Sequence, residues 1–170
     1  MKIRLTRLIV LIMALVTSVG FLMLYQYLTE DLEDQTFQAT EESLIDTAHI
    51  LTGVIESTIS QNTIQTNGLK AALKKASDHE FEAKIFKLTK TKIGTHVYVT
   101  NEHGIAIYDS TGKHTDRDMS RYNDVYKANQ DKYAARSSRD DESDPNSSVF
   151  YIGVPIKHEG KILGTLTVYK

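Results

Sequence analysis

The hydrophobic pattern of the chain begins with one uninterrupted apolar run. Residues Leu8–Leu28 (LIVLIMALVTSVGFLMLYQYL) include no charged side chain. A helix of this length spans about 30 Å, the thickness of the hydrocarbon core of a bilayer. A signal peptide has a shorter apolar core of about 7–15 residues and then a small-x-small cleavage site, whereas this run meets YQYLTEDLED. The pattern therefore favours an uncleaved transmembrane helix over a signal peptide or a buried helix of a soluble protein.

Beyond this run the apolar positions keep a helical period. One row repeats every seven residues: Phe37, Leu44, Leu51 and Thr58. An adjoining row is less apolar: Glu41, Ala48, Ile55 and Asn62. No proline lies between Leu28 and Ser60. The spacing predicts one long helix over residues 29–60, with one face on a domain and another free for a partner helix. A short seam through Leu44 and Leu51 predicts weak, membrane-assisted dimerisation.

The rest of the chain, residues 67–170, predicts a compact core of helices and strands. Short helices are expected at 67–76 and 120–131. A strand is expected at 83–88, and strands with a period of two follow at 96–101, 105–110, 133–138, 148–156 and 161–169. Glu102-His103-Gly104 predicts a hairpin turn in which the glycine takes a positive φ. This order predicts an α+β fold, an antiparallel sheet with helices packed on it.

The charged residues are unevenly distributed along the chain, and this indicates its orientation in the membrane. The chain is 41% hydrophobic and 25% charged, with a formal net charge of −2, which gives no support to nucleic-acid binding. Lys2, Arg4 and Arg7 precede the apolar run, and all 22 acidic residues follow it. By the positive-inside rule, residues 1–7 form a cytoplasmic tail and residues 8–28 cross the membrane. Residues 29–170 then form a domain on the outer side of the membrane.

The sequence contains none of the common catalytic and metal-binding motifs. The chain has no cysteine, and its six histidines form no i, i+4 pair. It also has no P-loop, G-x-G-x-x-G or G-x-S-x-G. An acidic loop places carboxylates and an amide at alternate positions (Asp140, Glu142, Asp144 and Asn146), but Pro145 and Tyr151 stand where a calcium loop needs Gly and Glu. The sequence therefore predicts no catalytic residue, metal or cofactor in this chain.

One group of residues has the chemistry of a small-ligand site. Its candidate ligand-binding residues combine guanidinium, phenol and carboxylate groups: Arg136, Tyr122, Asp109, Arg121 and Tyr151. Arg136 is the first choice, because its planar fork of donors suits a carboxylate or a phosphate. In that case Arg136→Lys would abolish the response and leave the melting temperature nearly unchanged. The alternative is that the tyrosines pack in the core and the arginines pair with Asp124 or the acidic loop.

Several segments resemble known bacterial sensor proteins. VYVTNEHG (97–104) followed by IYDS (107–110) resembles the strand–turn–strand of extracytoplasmic Cache (PAS-like) sensor domains. Further segments resemble, in the same order, the sensor region of CreC-type bacterial sensor histidine kinases: LIDTA (44–48), SRYNDVY (120–126), YAARS (133–137), DPNSSVFY (144–151) and PI (155–156). The resemblance implies a long helix on an antiparallel Cache/PAS-like sheet. It also implies that a second membrane helix, a HAMP linker and the kinase domains follow Lys170, so that this sequence is a fragment or a truncated product.

The resemblance implies the sensing region of a two-component kinase, which passes ligand or partner binding through the membrane helix. This chain alone is then not an enzyme, and His49, outside the membrane, is not the phospho-accepting histidine. The expected partners are the lipid bilayer, a second copy of the chain and an unidentified small-molecule or protein signal. A response regulator would be reached only through the missing kinase part. The alternatives are a stand-alone membrane-anchored binding or adaptor protein, or the sensor region of a chemoreceptor or cyclic-dinucleotide enzyme.

Overall fold

The structure is a computed structural model that describes residues 2–139, 143–144 and 147–170. Most of the acidic loop, including Asp140, Glu142 and Asn146, lies outside these residues. The chain divides into two compact units, Met1–Thr40 and Glu41–Lys170. Helix α1 (Lys2–Glu56) contributes residues to both units.

The first unit consists of the apolar part of helix α1. Residues Leu5–Leu28 have a mean hydropathy of 2.5 and none of this segment is buried. Its length and composition suit a membrane-crossing helix, as the apolar run predicted. The hydroxyls of Thr17 and Ser18 donate to backbone carbonyls one turn earlier, over 2.8 and 2.7 Å. These hydrogen bonds satisfy the two hydroxyls inside the helix, which suits an apolar surrounding.

The second unit is an α+β domain, as predicted. Its further elements are α2 (Asn67–Asp78), β1 (Ala83–Ile85), β2 (Leu88–Lys90), β3 (His96–Asn101), β4 (Ala106–Asp109), α3 (Asn123–Ala128), β5 (Ala134–Arg139), β6 (Ser148–His158) and β7 (Lys161–Tyr169). Five strands form one antiparallel sheet in the order β4-β3-β7-β6-β5. Strands β1 and β2 form a separate hairpin.

Helix α1 packs on one face of the five-stranded sheet. Leu44, Ala48 and Ile55 are buried there against sheet residues such as Val97 and Ile152. Leu51 is partly buried against the same core. The prediction that Leu44 and Leu51 form a seam free for a partner helix is therefore corrected, because both side chains face this domain.

Three local predictions can be compared with the backbone. Gly104 has φ +81°, as the hairpin required, and a Cβ there would lie 2.7 Å from the Ser120 Cα. The strand expected at 83–88 is instead the hairpin of β1 and β2, because Phe86 has φ +52° and reverses the chain. The helix expected at 120–131 is reduced to α3, since Tyr122 is extended and Asp131 has φ +56°.

Candidate functional site

Polar and aromatic side chains gather on the sheet face opposite helix α1. Successive residues of a strand point to opposite faces, so Val97 and Val99 meet helix α1 while Tyr98 lies on the other face. The same alternation places Thr167 and Tyr169 beside Tyr98. Buried residues of this second face include Tyr98, Ala106, Met119, Val125, Tyr151 and Tyr169.

Helix α3 covers this face at very short range. A Cβ on Gly153 of strand β6 would lie 1.9 Å from the carbonyl oxygen of Asp124 in the first turn of α3. No side chain fits at that distance, so a glycine is required here. The close approach brings the Asp124 side chain onto the sheet.

Asp124 is fully buried at the centre of a hydrogen-bond cluster. Its Oδ1 accepts a hydrogen bond from Arg136 Nε over 2.8 Å. Its Oδ2 accepts from the Tyr98 hydroxyl and from Thr167 Oγ1, the latter over 3.3 Å. Burial and the neighbouring Asp124 charge raise the pKa of Tyr98 well above its ordinary value. Tyr98 therefore remains a neutral donor to Asp124.

Arg136 carries the charge that balances Asp124. Burial alone would lower its pKa, but the Asp124 carboxylate outweighs that effect and raises it. The guanidinium carbon lies 3.5 Å from the ring centre of Tyr151 and 4.8 Å from that of Tyr122. Among the described residues, the guanidinium makes one hydrogen bond, from Nε to Asp124. The two terminal nitrogens remain as donors for an anionic group.

Asp109 lies in a second cluster, at the end of strand β4. Its carboxylate accepts hydrogen bonds from the backbone amides of Thr111 and His114 over 3.1 and 2.8 Å. It also bonds to the Thr111 and Tyr169 hydroxyls, both over 3.0 Å, and lies 2.9 Å from His114 Nδ1. Desolvation works against the charge, but these donors together lower the pKa of Asp109. This carboxylate therefore anchors the turn after β4.

Aromatic rings connect the two clusters. The ring of Tyr151 stacks on Tyr169, with centres 5.1 Å apart and planes 14° apart. The ring of Tyr98 lies 5.4 Å from that of His114 and 6.0 Å from that of Tyr169. A continuous series of contacts therefore runs from Arg136, through the rings of Tyr151 and Tyr169, to Asp109.

The structure brings three of the five candidate residues together: Arg136, Tyr122 and Tyr151. Asp109 belongs to the second cluster, and Arg121 is exposed beside Asp118. Arg136 forms an ion pair with Asp124, as the alternative interpretation of the sequence had it.

Sequence reasoning missed His114 and Tyr169. The alternation of Thr165, Thr167 and Tyr169 along β7 was the signal for a polar face, since apolar residues occupy the positions between them.

Comparison with known proteins relates this chain to a bacterial sensor protein. No protein-family model matches it. The chain is 34% identical over 133 residues to the sensor protein CreC of Escherichia coli strain K12. The match covers 78% of this chain and 28% of that protein. The chain is thus a partial homologue of a bacterial sensor protein, and it spans little more than a quarter of its length.

Proposed function

We propose that this chain is the signal-sensing region of a two-component sensor histidine kinase in the bacterial inner membrane. The observation that carries the proposal is the 34% identity to the sensor protein CreC over 78% of the chain. The apolar helix Leu5–Leu28 supports a membrane location. The basic residues before it support an extracytoplasmic position of the domain. The five-stranded antiparallel sheet with helix α1 packed on one face supports a domain of the Cache/PAS-like type.

The signal is proposed to be a small carboxylate or phosphate that binds at Arg136. The guanidinium is held between the rings of Tyr122 and Tyr151, and Asp124 fixes it through Nε. A fixed guanidinium loses little conformational entropy on binding, and its terminal nitrogens suit two oxygens of one anion. Tyr122 is 45% exposed and 14% of the Arg136 side chain is exposed, so a ligand would approach the guanidinium past the Tyr122 ring.

Transmission would use helix α1, which includes both the apolar span and the sheet-packing residues Leu44, Ala48 and Ile55. A ligand shifts an equilibrium only if it binds one packing arrangement better than another. Binding on the sheet is therefore expected to bias how the sheet packs on helix α1. A second copy of the chain would make a small shift of this helix readable across the membrane.

Phosphoryl transfer belongs, in this proposal, to the part of the kinase beyond this chain. A response regulator would be a partner of that part only. The proposal assigns no cofactor, metal or nucleic acid to residues 1–170.

A chimera tests the proposal. Residues 1–170 replace the matching region of the E. coli sensor protein, and ATP-dependent phosphorylation is measured in lipid nanodiscs, which leave both sides of the membrane accessible. The probes are acetate, succinate, citrate and inorganic phosphate. At least one is expected to change phosphorylation several-fold.

Two matched variants test whether the response depends on the proposed site at Arg136. Tyr122→Ala removes a ring over the guanidinium and leaves the buried ion pair in place, so it should weaken the response. Tyr126→Ala removes a similarly exposed tyrosine from helix α3, which follows Tyr122 directly, and should leave the response intact. Phosphorylation that ignores all four probes, or an equal loss in both variants, contradicts the proposed ligand site. A chimera without any phosphorylation, with CreC itself active, contradicts the kinase assignment.

A further inference from the structure

A cavity lies between helix α1 and strand β6. Its volume is about 450 Å³, within the range of small-molecule sites. Part of its wall is apolar, formed by Ile45, Ile152, Val154 and Pro155. Polar side chains also line it, among them Thr52, Glu56 and Lys157. It contains neither Arg136 nor Asp109, so it is separate from the site described above.

Thr52 gives this cavity an unmet hydrogen-bonding group. The residue is 4% exposed, and its hydroxyl has no hydrogen-bond partner among the described residues. Other threonines near the end of helix α1 are satisfied: Thr47 donates to Ser43 O over 2.7 Å and Thr58 to Ile55 O over 2.8 Å. A buried hydroxyl without a partner is unfavourable, and such groups are rare in proteins. A polar atom inside the cavity would satisfy it.

Two of the charged groups that line the cavity pair with each other, and the other two have neutral hydrogen-bond partners. Lys157 Nζ lies 2.7 Å from Asp131 Oδ1, and Glu56 Oε1 accepts a hydrogen bond from the Lys157 amide over 2.7 Å. Lys132 Nζ donates to Gln130 Oε1 over 2.9 Å. The lining thus contains two carboxylates and two ammonium groups, whose formal charges sum to zero. A neutral ligand would leave this sum unchanged, whereas an anion or a cation would give the cavity a net charge.

We propose that this cavity binds a small neutral molecule with a branched aliphatic body and one amide or alcohol group. The aliphatic part lies against Ile45, Ile152 and Val154, and the polar group hydrogen-bonds to the Thr52 hydroxyl. The binding site itself does not depend on the proposed kinase function. A regulatory effect would depend on it, because a ligand here touches helix α1.

The test uses the full chain in lipid nanodiscs and two probes of the same shape. Isovaleramide is neutral, and isovalerate is its carboxylate counterpart. Saturation-transfer NMR, with empty nanodiscs as the baseline, measures the affinity of each. Isovaleramide is expected to bind several-fold more tightly than isovalerate.

Thr52→Val, which exchanges the hydroxyl for a methyl, should weaken isovaleramide binding about threefold to tenfold and raise the melting temperature of the free chain. Thr47→Val is the control in the same helix and should leave the affinity unchanged.

A second pair of variants tests the location without touching the hydroxyl. Gly53 lines the cavity, and a Cβ built on it meets no atom within 4 Å. Gly53→Leu is therefore expected to fold and to abolish binding by occupying the cavity. Gly68→Leu, at an equally open glycine of helix α2, should bind normally. Equal binding of the two probes, binding that survives Gly53→Leu, or no binding at all would overturn the proposal. In the last case water alone satisfies Thr52. These results involve no kinase readout, so they stand apart from a failure of the proposed function.

Discussion

Arg136 and Asp124 form a buried ion pair that joins the edge strand β5 to helix α3. Arg136 Nε lies 2.8 Å from Asp124 Oδ1, with 14% of the arginine side chain and none of the aspartate side chain exposed. Taking two charges out of water is costly, so such a pair contributes little net stability. Removing one partner is far more costly, because the other charge remains buried and unpaired.

Asp124→Asn is therefore expected to destabilise the domain by about 3–5 kcal/mol. The change leaves the Arg136 charge without its partner and removes a strong acceptor from Tyr98 and Thr167. Urea unfolding of the full chain in detergent, followed by circular dichroism, measures the loss. Asp131→Asn is the control, since Asp131 is exposed and its pair with Lys157 should contribute about 0–1 kcal/mol. Equal effects of the two variants would contradict the structural role of the pair.

Arg136→Lys is a companion variant that separates charge from shape. Lysine keeps the positive charge but lacks the planar group that lies against Tyr151 and Tyr122. The sequence alone predicted that Arg136→Lys would leave the melting temperature nearly unchanged. Because Arg136 is largely buried, we now expect the variant to be less stable. A loss of about 1–2 kcal/mol is expected, smaller than that of Asp124→Asn. A stability equal to wild type would show that the stacked arrangement contributes nothing.

The sequence predicted what local periodicity determines. An apolar run and an i, i+7 row are local signals, and they predicted the apolar segment Leu5–Leu28 and the continuation of helix α1 beyond it. The turn at Gly104 followed from its short polar connection between strands of period two. The contact of Tyr98 with Asp124, 26 residues apart, depends on helix α3 lying across the sheet. No local signal encodes that placement, and only the close approach at Gly153 reveals its cause.

Asp109 shows a second limit of sequence reasoning. An aspartate at the end of a strand, near aromatic residues, is compatible with a ligand site and with a turn anchor. The choice depends on whether nearby donors point inward at the carboxylate. In the structure the amides of Thr111 and His114 donate hydrogen bonds to the Asp109 carboxylate. Asp109 therefore has a structural role that could not be predicted from the neighbouring residues in the sequence.

Gly153→Ala is expected to displace helix α3 from the sheet. The new Cβ would lie 1.9 Å from Asp124 O and 2.8 Å from its carbonyl carbon, both backbone atoms of a buried residue. Overpacking of this kind costs about 1–3 kcal/mol. Gly94→Ala is the control, because nothing lies within 4 Å of a Cβ there. Thermal unfolding should show a lower melting temperature for Gly153→Ala alone, and a wild-type value would disprove the contact.

The stability of the domain should fall in acid through Asp109. Its donors lower its pKa in the folded state, whereas in the unfolded chain an aspartate titrates near pH 3.9. The stabilisation is therefore fully present above about pH 5 and is lost as the pH falls through the unfolded value toward the lower folded one.

Asp109→Asn provides the measurement for this titration. At pH 7 it should cost about 1–3 kcal/mol, and the difference from wild type should narrow as the pH falls below about 4. Asp116→Asn is the control, because Asp116 is exposed and its φ of +63° suits asparagine. Denaturant unfolding between pH 3 and 7 measures both. A difference that stays constant over this range would contradict the lowered pKa.

Reporter fusions should place the domain outside the cytoplasm. Lys2, Arg4 and Arg7 precede the apolar helix, and basic residues remain on the cytoplasmic side. A reporter that is active only in the periplasm should work when fused after Tyr169, and a reporter active only in the cytoplasm should not. Replacing the three basic residues with glutamate should weaken this preference. The reverse pattern of activity would overturn both the orientation and the proposed sensing role.

The last prediction concerns self-association along helix α1. Leu44 is 3% exposed against the sheet, whereas Ile50 and Val54 on the same helix are 67% and 50% exposed. If the anchored chain is a homodimer, as proposed, the outward side of the helix is the one available to a second copy. The chain has no cysteine of its own, so a single introduced cysteine can form a disulfide only with the same cysteine of a second copy. Ile50→Cys in inner-membrane vesicles should form a disulfide-linked dimer under mild oxidation, and Leu44→Cys should not. Cross-linking at Leu44 would mean that this helix leaves the sheet, while cross-linking at neither position would contradict dimerisation through α1.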